Sequence, residues 1–278
     1  MEKTNWWKWR KLPESRIKSL LLITTESISD SIIRLGQNFS LNLPLIDKQG
    51  NWGNITGDEA AAPRYIEGKL NSFTSKYILD ELNKNVVNFI PNYDNTTIEP
   101  EELPVKFNQL LVNGSIGIAA GFAVNIPPHN IIEVCEGTIF YIEKKIFNKE
   151  KVSIKDLLQI IKGPDYPTSG IVSNNNLEKI YTEGEGKIYL RSKITYNEKN
   201  NTLLITEIPY GNFTDDITES IKDAIENKLV SGIVKITDQS SSSPYISLKL
   251  KNDIDHNSVI NQLYQYTHCQ VTKPVILL

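Results

Sequence analysis

One segment of the chain combines residue types that could do covalent chemistry: QGNWGNITGDEAAAPRYIEGKL, at residues 49–70. It holds a glycine-rich loop, a run of small residues, and Arg64 directly before Tyr65. Small side chains allow a backbone or a polymer to approach closely, and a tyrosine held beside an arginine can act as a nucleophile. The chain has 12 tyrosines, however, and packing is the usual role of such a side chain. The residues alone therefore leave both interpretations of Tyr65 open.

The sequence lacks most other signatures of catalysis and metal binding. It contains no nucleophile elbow, P-loop, HExxH or paired CxxC motif. The scattered histidines, His129, His256 and His268, are predicted to be solvated or hydrogen-bonded. DIDH at 253–256 is predicted to be a loop before a helix rather than a metal site, and GEGK at 184–187 a hairpin turn rather than a phosphate cradle. The glycine-rich segment therefore remains the informative part of the chain.

Composition places the chain in the soluble globular class. Its 278 residues predict two domains and are enough for a core without disulfide staples. Hydrophobic residues make up 40% and charged residues 23%, which excludes wholesale disorder. Two cysteines cannot form a disulfide framework, which favours a reducing compartment. The net charge of −3 gives no global argument for a nucleic-acid partner.

Helices are predicted on the N-terminal side of the segment. Apolar spacing over residues 14–37 indicates two helices, with Ser27 or Ser29 as the cap of the second and Gly36 at its end. Residues 38–58 are rich in glycine and are predicted to be loop.

The segment that carries Tyr65 is itself predicted to be helical, over residues 59–88. The helix is expected to break near Ala62, because the residue before a proline avoids the helical region. A polar, proline-bounded stretch at 92–104, NYDNTTIEPEELP, is predicted to be the linker between the two domains. The uncharged stretch at 107–132 contains several glycines and prolines, and is predicted to form turns and short buried strands rather than a membrane-spanning helix.

The second half of the chain is predicted to mix helices and strands. Helices are expected at 131–146, at 153–162, at 215–230 with Gly232 ending it, and at 258–268. Alternation of apolar and polar residues predicts strands at 187–196, 201–210 and 245–251. This order of elements is typical of the α+β or the α/β class.

The segment around Tyr65 resembles the active-site region of a known enzyme family. The matching residues are Gly57, Asp58, Ala60, Ala61, Ala62, Arg64, Tyr65 and Glu67. The family is the cleavage-and-rejoining subunit, or A-subunit, of bacterial type IIA DNA topoisomerases, which comprise DNA gyrase and DNA topoisomerase IV. Further blocks match in the same order and extend the resemblance over residues 28–278: LPVKFNQLLVNGSIGIAAGFAVNIPPHNIIEV at 103–134, GPDYPTSGIV at 163–172, GEGKIYLRSK at 184–193, TEIPYGNFTDDITESI at 206–221 and LYQYTHCQV at 263–271.

The resemblance implies a fold and an activity. It implies an α+β chain with a winged-helix domain over residues 1–92, which carries Tyr65, followed by an α/β tower domain over 93–278. The implied activity is that of the DNA-cleaving and rejoining subunit of an ATP-dependent type II DNA topoisomerase, an isomerase. Tyr65 would attack DNA and form a transient 5′-phosphotyrosyl link. This ester keeps the energy of the phosphodiester, so that resealing needs no ATP.

The resemblance also implies a cation near the Tyr65 phenol. A phenol has a pKa of about 10, so that only about one in a thousand is ionised near pH 7, at a cost of roughly 4 kcal/mol. A cation at ~4 Å, at an effective dielectric constant near ~20, could offset about that much. Arg64 is the expected cation, or else a clamp on the phosphate. In the family, Mg²⁺ is bound by acidic residues of the Toprim domain, which belongs to the partner subunit, and ATP is used by the same partner.

Several further residues are implied to contact DNA. Ile118 matches the residue that wedges between base steps, where the larger contact surface of bent DNA offsets the cost of unstacking; the alternative is a buried strand isoleucine. Arg34 matches a basic position near the DNA, and the alternative is a solvated arginine on a helix face. Asn113 and Ser115 lie in the same matching block as Ile118 and are expected to contact DNA with it.

Two residues of TTESISDSIIRL are implied as contacts for quinolone inhibitors. An ungapped alignment back from GQNF puts Asp30 at the acidic position and Glu26 at the position of a family serine. Glu26 is longer than serine and adds a carboxylate one helical turn from Asp30, where like charges repel mildly. Weak trapping by quinolones is therefore expected.

The implied partners are double-stranded DNA, a Toprim/ATPase subunit, and a second copy of the cleaving subunit within a heterotetramer. The implied location is the cytoplasm, at the nucleoid, where the activity would serve chromosome segregation. The chain departs from the family because LLLITTESISD stands where an HPHGD-like motif is usual. Family elements before and after the matched blocks are missing too, so the sequence is expected to be truncated at both ends. The alternative is a DNA-binding or subunit-binding remnant without catalysis, and the choice between gyrase and topoisomerase IV stays open.

Overall fold

The computed structural model describes residues 7–8, 25–173 and 176–277. Its residues form two compact units, one within Met1–Gly53 and Glu59–Gln109, the other within Asn54–Asp58 and Leu110–Leu278. Helices are interspersed with strands in both units, and the strand pairs of the described residues are antiparallel. The predicted α+β class is therefore confirmed.

The first unit is built around a small sheet. Its strands and helices are β1 (Trp7–Lys8), α1 (Thr25–Leu35), β2 (Ile46–Gln49), β3 (Glu67–Leu70), α2 (Ser72–Thr74), β4 (Phe89–Pro91) and β5 (Ile98–Pro100). Short turns of 3₁₀-helix lie at Pro63–Tyr65 and Leu82–Lys84, and α2 continues as a π-helical turn over Ser75–Leu79. The sheet has the strand order β1-β3-β2, and β4 pairs with β5 in a separate hairpin.

The core of the first unit lies around Trp52. Ile33 of α1 and Ile66, just before β3, are buried with it in one cluster. Gly68 of β3 lies against the Trp52 ring so closely that a Cβ there would be 2.9 Å from the nearest ring carbon. The helix and the sheet are therefore held together by one large aromatic side chain and by a residue small enough to admit it.

The second unit contains two larger sheets and the helices that cover them. Its helices are α3 (Gln109–Asn113), α4 (Ile131–Tyr141, continued by a π-helix over Ile142–Phe147), α5 (Ile154–Leu158), α6 (Leu177–Glu183), α7 (Thr214–Glu226) and α8 (His256–Tyr266). Its strands are β6 (Ser115–Ala119), β7 (Phe122–Ile126), β8 (Ile171–Ser173), β9 (Glu185–Arg191), β10 (Lys193–Asn197), β11 (Thr202–Glu207), β12 (Ile233–Asp238), β13 (Ile246–Leu250) and β14 (Gln270–Ile276). The strand orders are β6-β7-β14-β9-β8 and β10-β11-β13-β12.

The periodicity of the sequence explains these elements. In β9, Ile188 and Leu190 are buried and alternate with exposed residues, which is the period of two of a strand covered on one face. In α7 the buried residues recur every three or four positions, as they do on one face of a helix. They are Thr214, Ile217, Thr218, Ile221 and Ala224. The predicted strands and helices of this half are accordingly confirmed, except that 187–196 divides between two strands, β9 and β10, and that the helix expected at 153–162 ends at Leu158.

The structure corrects the predicted helix through the tyrosine segment. Residues 59–70 do not form a helix; Trp52 and Ala60 make an isolated β-bridge, Pro63–Tyr65 is a single 3₁₀ turn, and Glu67–Leu70 is a strand. Pro63 interrupts helical bonding, and Gly68 is a poor helix former that fits under Trp52. Helical residues within 59–88 are confined to the short turns between Pro63 and Lys84.

Predicted ends of two helices are also corrected. Helix α1 begins at Thr25, so Ser27 and Ser29 lie inside it and do not cap it, whereas Gly36 directly follows its last residue as predicted. The first of the two helices predicted over 14–37 lies outside the described residues. Helix α7 ends at Glu226, well before Gly232.

Three loop and strand predictions need correction as well. Residues 92–104 are more than a linker, because strand β5 lies within them and pairs with β4. Strands β6 and β7 exist as predicted within 107–132, but they are largely exposed rather than buried. GEGK is no hairpin turn: Gly184, with φ of 77°, ends α6, and the next residue begins β9. Within the described chain, no helix combines the length and the apolar character needed to cross a membrane.

Candidate active site

Tyr65 lies on a turn whose backbone is fixed on both sides. Pro63 sets the first residue of the turn, and the Tyr65 amide donates to the Ala62 carbonyl at 2.8 Å. The next residue, Ile66, is 1% exposed in the core around Trp52. A Cβ on Gly50 would be only 2.9 Å from the Tyr65 carbonyl oxygen, so the neighbouring loop packs directly on this backbone.

The side chain of Tyr65, in contrast, points outward. It is 66% exposed, although tyrosine usually buries its ring. The guanidinium carbon of Arg64 lies over the ring, 4.7 Å from its centroid, in a cation–π contact. The turn therefore presents a solvent-accessible phenol with a permanent positive charge on its ring face.

A cavity of about 710 Å³ lies beside this turn in the first unit. One wall is a face of α1, with Ser29, Asp30, Ile33 and Arg34, together with Gln37 just after the helix. The other wall is residues 59–63, the small-residue run that leads into Arg64 and Tyr65. Arg34 and Asp30 are both exposed at this cavity, so two residues singled out in the sequence share one surface with the tyrosine turn.

The glycine-rich loop before the alanine run is held by its own side chains. The Asn54 side-chain oxygen accepts from the Thr56 and Asp58 amides, and its amide group donates to the Asp58 carboxylate at 2.6 Å. The Ile55 carbonyl accepts from the amide of Thr214, at the start of α7. These residues, 54–58, belong to the second unit.

Ile118 stands on an exposed arm of the second unit. Strands β6 and β7 form this arm, with a two-residue turn at its tip and Ile118 paired opposite Ala123. Ile118 is 90% exposed, and Ile116 and Phe122 beside it are exposed as well. The interpretation of Ile118 as a buried strand residue is wrong. An apolar arm that stands exposed among the described residues is the form that a minor-groove wedge requires.

Comparison with known proteins decides the family. A model of the family described as DNA gyrase/topoisomerase IV, A-subunit, matches residues 24–278. The chain belongs to this family. It is 40% identical to the DNA gyrase A-subunit of Rickettsia bellii over 257 residues, 91% of this chain and 28% of the relative. It is 39% identical to the DNA topoisomerase 4 A-subunit of Staphylococcus epidermidis over 251 residues, 88% of this chain and 31% of the relative.

The A-subunit family implied by the residue motifs is thus confirmed. Gyrase and topoisomerase IV relatives match almost equally well, so the choice between them stays open. The chain spans less than a third of the length of these relatives.

The predicted site residues of this topoisomerase-family chain fall into two groups. Tyr65, Arg64, Arg34 and Asp30 lie in the first unit, while Ile118, Ser115 and Asn113 lie in the second. Asn113 ends α3, and Ser115 begins β6 opposite Ile126, so both stand at the root of the arm. Glu26 lies in the first turn of α1, but its side chain is outside the described residues.

Sequence reasoning missed several residues of the cavity in this topoisomerase-family chain. Ser29 stands on the same face of α1 as Ile33, and Gln37 follows the end of the helix; their spacing of four residues on either side of Ile33 could have revealed them. Glu59 lines the opposite wall and carries no recognisable signal in a single sequence. Gln37 also donates to the Trp52 carbonyl at 2.8 Å, which ties the cavity to the core.

The described residues offer no metal centre. Within the ranges that the structure describes, no three or more His, Cys, Asp or Glu side chains form a group that could hold a metal ion. The Asp255 side chain caps α8 by accepting from the Asn257 and Ser258 amides, as expected for a loop before a helix. His129 is buried and hydrogen-bonded, as predicted.

Proposed function

We propose that the chain is the DNA-cleaving and rejoining part of an ATP-dependent type II DNA topoisomerase, with Tyr65 as its nucleophile. The observation that carries the proposal is the exposed Tyr65 phenol on a fixed turn, with the Arg64 guanidinium 4.7 Å from its ring centroid. Membership of the gyrase and topoisomerase IV A-subunit family supports the same activity.

In the proposed reaction, the Tyr65 hydroxyl oxygen attacks a phosphorus of the DNA backbone. A bond forms from this oxygen to the 5′-phosphate while the bond from phosphorus to the 3′-oxygen breaks. The phenolic proton leaves to solvent and the 3′-oxygen takes up a proton, so one ester replaces another. Resealing is the same step in reverse, with the 3′-hydroxyl as the attacking group. Arg64 would stabilise negative charge on the phenolate or on the phosphate.

Mg²⁺ and ATP belong, in this proposal, to the Toprim/ATPase subunit. Among the described residues, no three or more His, Cys, Asp or Glu side chains form a group that could hold a metal ion, which agrees with this division of labour. What this chain supplies is the nucleophile, its cation and the surface that positions DNA.

The two units support a two-domain interpretation. We assign residues 1–92 to a winged-helix domain and residues 93–278 to a tower domain. The packing of α1 on the antiparallel strands β2 and β3 supports the first assignment, because a winged helix joins a recognition helix to such a pair. The two larger antiparallel sheets that follow, with the helices between their strands, support the second assignment.

Two surfaces are proposed to bind double-stranded DNA. Arg34 would contact a phosphate from the cavity beside the tyrosine turn, since it is exposed there and always charged. Ile118 would wedge a base step, supported by its exposure at the end of an uncharged arm, and Asn113 and Ser115 would contact the backbone from the root. Asp30 and Glu26 remain the proposed contacts for quinolones.

Within the cell, the proposed assembly is a heterotetramer of two cleaving subunits and two Toprim/ATPase subunits at the nucleoid, in the cytoplasm. Family membership supports it, because the relatives are themselves named as subunits of larger enzymes. The activity would then serve chromosome segregation.

Covalent trapping tests the proposed function. The full 278-residue chain is mixed with a Toprim/ATPase subunit, Mg²⁺ and supercoiled plasmid, and the reaction is stopped with a denaturing detergent. Protein-bound DNA is then precipitated and counted. We expect an adduct with the wild-type chain and none with Tyr65→Phe, which keeps the ring and removes the attacking oxygen.

Tyr93→Phe is the matched control, because Tyr93 is another exposed tyrosine of the first unit, at 76%. It should leave adduct formation unchanged. DNA binding without any adduct from the wild-type chain would favour the non-catalytic remnant. An adduct that survives Tyr65→Phe would show that another residue is the nucleophile.

A further inference from the structure

In the part of the chain that the structure describes, the β6–β7 arm pairs with the rest of its sheet at its root. β6 and β7 pair with each other along their whole length. The hairpin is joined to the next strand of the sheet, β14, through one residue pair, Ile276 of β14 with Asn125 near the end of β7. Five residues of strand extend about 17 Å. Small changes at the root therefore move the tip, and with it Ile118, by several ångströms.

His129 lies buried at this root, 2% exposed, and connects three parts of the chain. Its backbone amide donates to the Leu111 carbonyl at 2.8 Å, and its ring Nδ1 lies 3.1 Å from the same oxygen. Its Nε2 lies 2.7 Å from the Tyr181 hydroxyl on α6. Leu111 precedes the arm and His129 follows it, so one side chain ties the two ends of the arm to each other and to α6.

The hydrogen bonds of His129 also fix the tautomer of its neutral ring. A carbonyl oxygen can only accept, so Nδ1 must carry the hydrogen. In the neutral ring Nε2 is then an acceptor, and it receives the Tyr181 hydroxyl hydrogen. Reversing these roles would leave the Leu111 oxygen facing a lone pair, so a single tautomer satisfies the site.

Packing around His129 leaves the root little freedom. Gly114, with φ of 69°, approaches the returning chain so closely that a Cβ would lie 2.4 Å from the Ile126 carbonyl oxygen and 3.0 Å from the Pro128 nitrogen. Pro127 and Pro128 are buried, and proline fixes the backbone angle of each. On the outer side, the Asp165 amide donates to the Pro128 carbonyl at 2.8 Å.

We propose that His129 is a positioning residue: its neutral ring, held between the Leu111 carbonyl and the Tyr181 hydroxyl, sets the angle at which the arm presents Ile118. The part that concerns DNA rests on the proposed function, whereas the effect on the arm does not.

The charges around the ring agree with this role. Burial lowers the pKa of His129 from its ordinary value of 6.5. Hydrogen bonding to the backbone at Leu111 and Pro127, and the carboxylates of Glu133 on α4 and Asp165, raise it only in part. Burial raises the pKa of Tyr181, so its hydroxyl keeps its hydrogen. The folded protein thus resists protonating His129. Above pH 6.5 His129 is neutral in the folded and the unfolded chain, and the hydrogen bonds are undisturbed. As the pH falls below 6.5 the free energy of unfolding decreases, because the unfolded chain binds a proton at His129 more readily than the folded chain does.

The distance between two spin labels tests the arm directly. One label is placed on the exposed tip by Ala120→Cys, which keeps Ile118, and the other on the native Cys135 of α4; Cys269 is buried. Both sites lie in the second unit. We expect His129→Asn and Tyr181→Phe each to broaden the distance distribution at least twofold at pH 7.5. In wild type the width should still be narrow at pH 6.5 and should grow only at lower pH, where the folded chain itself takes up the proton, while in His129→Asn it should be wide already and unchanged by pH.

Thr267→Val is the control for a merely structural effect. Thr267 is also buried and hydrogen-bonded, to the Leu263 carbonyl at 2.6 Å, but it stands in the turn after α8. It should lower the melting temperature without widening the distribution. An unchanged width in both His129→Asn and Tyr181→Phe would overturn the proposal, and the milder Tyr181 variant decides the matter if the histidine variant does not fold.

A DNA-bending assay by fluorescence transfer separates the two proposals. If wild type bends a labelled duplex, His129→Asn should reduce bending as much as Ile118→Ala does. Bending equal to wild type in His129→Asn would overturn the positioning role. No bending by wild type would count against the proposed function, and the spin-label widths would still decide the role of His129.

Discussion

The guanidinium of Arg64 lies over the ring of Tyr65, and both side chains are open to solvent. This geometry makes the contribution of the arginine measurable without disturbing the fold. We predict that Arg64→Ala slows adduct formation about tenfold, which corresponds to about 1.4 kcal/mol, because solvent screening leaves only part of the ideal attraction. Arg64→Lys should lose less, since it keeps the charge and loses the planar stacking.

The measurement is the initial rate of adduct formation at saturating DNA, compared with the melting temperature of each variant. An equal rate in Arg64→Ala and wild type would remove Arg64 from the proposed chemistry.

Ile118 permits a second test at the scale of one residue. At 90% exposure it contributes little to packing, so Ile118→Ala should leave the free energy of unfolding nearly unchanged while reducing DNA bending. Ile188→Ala is the matched comparison, because Ile188 is fully buried on β9 and its truncation should cost about 2–5 kcal/mol. Denaturant unfolding and a bending assay measure the two effects separately. A large loss of stability in Ile118→Ala would contradict its exposed position.

At the scale of elements, strand β3 contributes most to fixing the tyrosine turn, because it follows directly after that turn. It pairs with β1 and with β2, and Gly68 at its centre admits the ring of Trp52. We predict that Gly68→Ala destabilises the protein by about 1–3 kcal/mol, since the added methyl group would lie 2.9 Å from a ring carbon of a fully buried tryptophan.

Gly117→Ala provides the control for Gly68→Ala. A Cβ on Gly117 would meet nothing within 4 Å, although it too lies in a strand. Urea unfolding should show little change for this variant. Equal stability of the two variants would mean that Trp52 does not pack on β3 as described.

Sequence patterns predicted elements well where one face of the element dominates. Helix α7 and strand β9 followed their periods of 3.6 and two, and Gly36 ended α1 as expected. Strand β3 was missed because its alternation is short and because Gly68, rather than a larger apolar residue, fills its one buried position. Its place depends on Trp52, a contact between distant residues that local propensity does not contain.

The candidate site was predicted from the sequence in part. Arg64 and Tyr65 followed from the resemblance of one segment, and their adjacency needed no tertiary information. That Arg34 and Asp30 share a cavity with residues 59–63 could not be inferred from spacing, since α1 and that run are far apart in the sequence. The role proposed for His129 depends on Leu111 and Tyr181, which only the folded chain brings together.

At the scale of the whole molecule, the two cysteines report the integrity of the second unit. Cys269 is fully buried, and burial raises the pKa of its thiol to about 11, while Cys135 is partly exposed. We predict that a thiol reagent at pH 8 labels one cysteine, Cys135, in the native protein and both in denaturant. Mass spectrometry of the labelled peptides identifies the site. Rapid native labelling of Cys269 would show that the packing around it opens in solution.

The central claim is that Tyr65 forms the covalent bond to DNA, and peptide mapping of the trapped adduct tests it most directly. The adduct is digested with nuclease and then with trypsin, which is expected to release YIEGK, residues 65–69, between Arg64 and the bond after Lys69. We predict this peptide with the added mass of a 5′-phosphorylated nucleotide fragment on Tyr65. The same added mass on any other peptide, with YIEGK unmodified, would contradict it.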